Sequence, residues 1–67
     1  MNEYFIELLD ANETAYGCTD LNGDEMYFED LEEARLYAKG QVNEIYTVVK
    51  VIDAGTHHVV DYFVMRG

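Results

Sequence analysis

Sixty-seven residues suffice for one hydrophobic core and no second, because a chain this short buries only about 60% of its unfolded surface. Fourteen acids against four bases give a net charge of -10, which disfavours both an anionic membrane and nucleic acid as direct partners. A hydrophobic fraction of 49%, with six tyrosines and three phenylalanines, still predicts a folded domain and excludes a disordered acidic tail.

In chain order, "EYFIELL" at residues 3–9 alternates Tyr4, Ile6 and Leu8 with Phe5, Glu7 and Leu9, the period of a half-buried first strand. Asn22-Gly23 then marks a two-residue type I′ hairpin turn with arms at 15–21 and 24–28, and Gly17 marks a bulge in the first arm. A helix follows over 31–39. Asp30 caps it, Glu33 completes a capping box, Lys39 suits its negative end and Gly40 serves as the left-handed stop. Its inward stripe is Leu31, Ala34, Tyr37 and Ala38, continued by Val42.

The β-branched and aromatic runs "IYTVVKVID" and "HHVVDYFVMR", joined through "AGT", form a second hairpin. "IELLDAN" at 6–12 and "VKVIDAG" at 49–55 echo one another, as two strand-turn units flanking the helix would, although seven positions do not establish a repeat. The expected fold is therefore α+β: a small antiparallel sheet of four to five strands packed on one helix, order β-β-(β)-α-β-β. Residues 1–67 form a single domain with no linker or low-complexity stretch.

Catalytic candidates are few. The chain has no serine and no tryptophan, which excludes Ser-based triads. Cys18 lies among acids, which raise a thiol's pKa, so it reads as a core thiol and not as a nucleophile. His57 and His58 are adjacent, face opposite ways on a strand, and read as polar residues at a hairpin end. The many carboxylates lack the enclosing cleft that acid–base catalysis needs in a domain of this size, so an enzyme is not expected. Asp20, Asn22 and Asp24 match positions 1, 3 and 5 of an EF-hand loop. Glu25 stands where Gly is required and Leu31 where the bidentate Glu is required, so no metal site or cofactor is expected.

A lone cysteine cannot form an internal disulfide, and "MNEYFIELLD" has no basic n-region and carries acids within its apolar run. Both features point to the cytoplasm. No apolar stretch approaches the roughly 18 residues of a membrane span.

The charge is segregated. Residues 1–34 hold eleven acids and no Lys or Arg, whereas residues 35–67 hold three acids and all four bases. Solubility needs net charge but not this layout. A two-residue turn at Asn22-Gly23 sets Asp20 opposite Glu25, a like-charge pair, and Glu29 and Glu33 form a repulsive i,i+4 pair. Leu36 lies in the same outward quadrant as Glu29, Glu32 and Glu33, an apolar anchor within a charged rim. Asp20, Asp24, Glu25, Glu29, Glu32, Glu33 and Leu36 are thus the candidate partner-binding residues. Carboxylate rows on a hairpin and an adjacent helix suit Lys and Arg side chains that otherwise hold phosphates.

In size, acidity and helix-plus-hairpin layout the chain resembles the small phage-encoded inhibitors of host defence nucleases, including anti-CRISPR proteins and other DNA mimics. No sequence motif carries the resemblance. It implies a cofactor-free blockade of a basic, nucleic-acid-binding surface on a protein partner, in the host cytoplasm. Two other readings remain open: self-association into a homodimer through a sheet edge formed by "YTVVKVI" or "VVDYFVM", and weak divalent-cation binding by the acids around 20–25.

Overall fold

The computed structural model describes residues 3–65. It is an α+β fold of order β-β-α-β-β: β1 (Tyr4–Asp10), β2 (Ala15–Gly17), α1 (Leu31–Gln41), β3 (Tyr46–Asp53) and β4 (Val59–Val64). The four strands make one antiparallel sheet in the spatial order β2-β1-β3-β4.

Alternation along β1 decides which side of the sheet is covered. Tyr4, Ile6 and Leu8 point to the helix and are buried, and their neighbours across the sheet, Val49 and Val51, are fully buried. Ala34 and Ala38 on α1 are also at 0% exposure, because a methyl side chain lets the helix backbone approach the sheet closely. Leu31, Tyr37 and Val42 complete the stripe, packed against the core with Met26, Phe28, Tyr46 and Phe63. Complete burial of side chains such as Ile6, Val49 and Val51 contributes roughly 1.5–3 kcal/mol each, so this single layer contact provides most of the stabilisation.

The helix starts where its cap requires. The Asp30 carboxylate accepts the Glu32 N–H at 3.0 Å, with Glu32 and Glu33 in the first turn beside the positive helix end. Its far end differs from expectation: Gly40 is helical, not a left-handed stop, and the helix runs to Gln41 with Val42 as C-cap at φ -67°. The apolar stripe explains the two extra residues, since Val42 must still reach the core.

The first hairpin also differs. Only 15–17 of the expected arm 15–21 is strand, paired to β1, and 24–28 is not a strand. That segment instead makes two isolated bridges, Thr19 to Glu25 and Phe28 to Tyr4, while the Cys18 N–H bonds the Ile6 carbonyl at 3.3 Å. The bulges fall at Leu9/Asp10 and Val51/Ile52, not at Gly17.

Candidate functional site

Three hairpin corners in this fold share one construction. Asp10 Oδ1 accepts the N–H groups of Asn12 and Thr14, Asp20 Oδ1 those of Asn22 and Asp24, and Asp53 Oδ1 those of Gly55 and Thr56. In each, an aspartate at the end of one arm folds its carboxylate over the loop it opens, satisfying backbone donors that the turn leaves unpaired. The last loop residue takes a left-handed conformation: Glu13 at φ 64°, Gly23 at φ 83° and His57 at φ 62°.

The Asp20 corner corrects the expected turn. The Asp20 N–H bonds the Asp24 carbonyl at 2.8 Å and the Gly23 N–H bonds the Asp20 carbonyl at 3.0 Å, enclosing the three residues 21–23. A type I′ turn needs positive φ at both central residues, and here Gly23 alone has it. The longer loop shifts the register, so Asp20 faces Asp24 and Glu25 faces Thr19; the expected Asp20–Glu25 pair is not formed.

The candidate acids therefore divide by what they already hold. Asp20 is exposed, but its Oδ1 is committed to the loop. Glu25 accepts the Tyr27 hydroxyl at 3.0 Å, and this bond, with the adjacent negative charge, raises the Tyr27 pKa above its ordinary value of 10.0. Glu32 is bridged by Arg35 at 3.3 Å, which narrows the acidic face on the β4 side. Asp24, Glu29 and Glu33 are exposed and make no ion pair among the described residues. Leu36 is 70% exposed one turn beyond Glu32 and Glu33. Phe28 is pinned to Tyr4 just before the helix cap, so the chain runs from the 18–25 hairpin past the start of β1 directly into the acidic first turn of α1.

Two acids that the sequence reading did not select lie beside this stretch. Glu3 adds to the negative field on Tyr27, and Glu7 lines a small open pocket of about 190 Å³ with Phe5, Tyr16, Gly17 and Glu25. Their position on the odd-numbered face of β1 was visible in the alternation. That the 18–28 segment would fold along the edge of β1 was not.

The opposite flank has the reverse character. Arg35 and Lys39 turn towards β4, where the Arg35 Nε donates to Asp61 Oδ2 at 2.6 Å and Lys39 borders an open groove of about 730 Å³ with Val42, Phe63 and Met65. Asp61 Oδ1 accepts the Tyr62 N–H at 2.8 Å, so this carboxylate occupies a central donor of the sheet edge that β4 presents. Cys18 is buried, and burial pushes its thiol above the ordinary 9.0, the opposite of what a nucleophile needs. Among the described residues no group of three His, Cys, Asp or Glu side chains converges as metal ligands, and no helix is long and apolar enough to cross a membrane.

No family model, curated protein sequence or solved structure shows significant similarity to this chain.

Proposed function

We propose that this protein is a non-enzymatic binding protein whose acidic face occupies a basic, nucleic-acid-binding surface of a protein partner, in the manner of an anti-CRISPR protein or other DNA mimic. One observation carries the reading. Asp24, Glu29 and Glu33 are each exposed with no cation in ion-pair contact among the described residues, while both ion pairs described fall on Arg35. The positive end of α1 favours Glu33, but it does not account for Asp24 on the hairpin. A surface built to meet Lys and Arg does. Asp24, Glu25, Glu29, Glu32 and Glu33 supply the charges, Leu36 the apolar anchor, and Asp20 chiefly holds the loop that presents Asp24 and Glu25.

The test is capture of the partner from a host lysate, followed by reversal of Asp24, Glu25, Glu32 and Glu33 to lysine. The reading expects binding to weaken steeply with salt and to be abolished by the reversals, with the circular dichroism spectrum unchanged. Binding that survives the four reversals would show the acids to be a solvated surface and nothing more.

A further inference from the structure

The helix covers only one side of the sheet. On the other, strand register sets three rows side by side: Phe5, Ile52 and Val59; Glu7, Lys50 and Tyr62; Leu9, Val48 and Val64. None of these nine residues belongs to the helix-side core cluster; Ile52 is itself buried, at 6% exposure, whereas Val59, Tyr62 and Val64 are about half exposed or more. Tyr27 and His57 lean edge-on against Phe5 at one corner, and no helix or strand among the described residues lies over the rest. With strands about 4.8 Å apart and alternate residues about 6.7 Å apart, the grid spans roughly 300 Å², apolar at both ends and charged in its middle row at Glu7 and Lys50.

We propose that this sheet face is covered by a second copy of the chain, giving a four-layer homodimer with the two helices outside. The charges on the face select this occupant. Glu7 and Lys50 are direct register partners, yet neither is in an ion pair among the described residues. A two-fold axis between the stacked sheets, parallel to the strands and midway between β1 and β3, sets each Glu7 over the Lys50 of the other copy. The same axis lays the β1 and β2 flank, with Glu7 and Glu25, over the β3 and β4 flank. There the two acids, Asp53 and Asp61, register with the helix-side residues Tyr4 and Val51. The remaining negative charge does not oppose this packing: sheets stack about 10 Å apart, so the two helices and their acids are separated by more than two Debye lengths at physiological salt.

Sedimentation equilibrium of the full chain from about 10 μM to about 1 mM, the range in which a small interface is half-populated, tests the proposal. The expected result is a shift from the 7.7 kDa chain towards twice that mass. Lys50→Glu should raise the dimer dissociation constant about tenfold and Glu7→Lys with Lys50→Glu should restore it, whereas Val64→Asp, at a half-exposed site that leaves the fold intact, should abolish the dimer. A chain that stays monomeric throughout overturns the proposal, including one whose sheet face becomes protected only when a different protein is added. So does a dimer indifferent to these substitutions, which would pair through another surface such as the β4 edge.

Discussion

Glu13→Gly should make this protein more stable, although it removes a side chain and adds none. Glu13 closes the Asp10 corner at φ 64°, in a region where a side chain clashes with its own backbone. Holding a non-glycine residue there costs about 1–2 kcal/mol. Glycine relieves that strain but enters from a freer unfolded chain, which returns about 0.4–1 kcal/mol, so the net gain is about 0.5–1 kcal/mol. A domain of this size converts such a gain into roughly 3–6 °C of melting temperature. Thermal melts by circular dichroism read this directly, with Glu13→Gln as the control for loss of one negative charge while the backbone strain remains. His57→Gly should give a second, similar gain at φ 62°. The two corners lie at opposite ends of β1, about 20 Å apart, because Asp53 registers with Tyr4, and gains at that distance should add. A Glu13→Gly protein that melts no higher than Glu13→Gln would refute the assignment of strain to this corner.

Gly40 lies in the last turn of the helix with open space where a Cβ would project, so Gly40→Ala should raise stability in urea melts, by less than the roughly 1 kcal/mol of a helix-interior site. Cys18 has a folded pKa raised by burial, so the unfolded chain ionises first; the stability from its neutral thiol is complete below about pH 9 and lost as pH rises through the folded value. Urea midpoints between about pH 7 and 10.5 should therefore fall less steeply in Cys18→Ala than in the parent chain, the residual slope coming from Tyr16 and Tyr27, whose pKa values are also raised.

The sequence discloses elements whose signal is local and whose burial has one side. The alternation in 3–9, the Asp30 cap and the β-branched runs around 54–58 each specify their own structure, and the sheet with one helix follows from them. The echo between 6–12 and 49–55 also has a physical form, since each segment carries at its fifth position an aspartate, Asp10 or Asp53, that caps the loop it opens. What the residues do not disclose is competition. Asn22-Gly23 alone favours a two-residue turn, but Asp20 offers two loop N–H groups an acceptor and so selects three. Gly40 alone favours a stop, but Val42 still has core surface to reach. Composition likewise cannot separate acids that hold the backbone from acids that face outward: Asp10 and Asp20 look no different in the sequence from Asp24, and only the hydrogen bonds distinguish them.

Asp61 has a consequence beyond its contacts with Arg35 and the Tyr62 N–H. It is the only charge in the run from Val59 to Met65, which otherwise consists of valines, aromatics and methionine, the composition of segments that stack into cross-β fibrils. Before Arg35 is in place, the same carboxylate already divides that run into two pieces too short to zip. The residue is thus a gatekeeper twice over, in the nascent chain by interrupting an aggregation-prone segment and in the folded one by stoppering the edge that segment becomes.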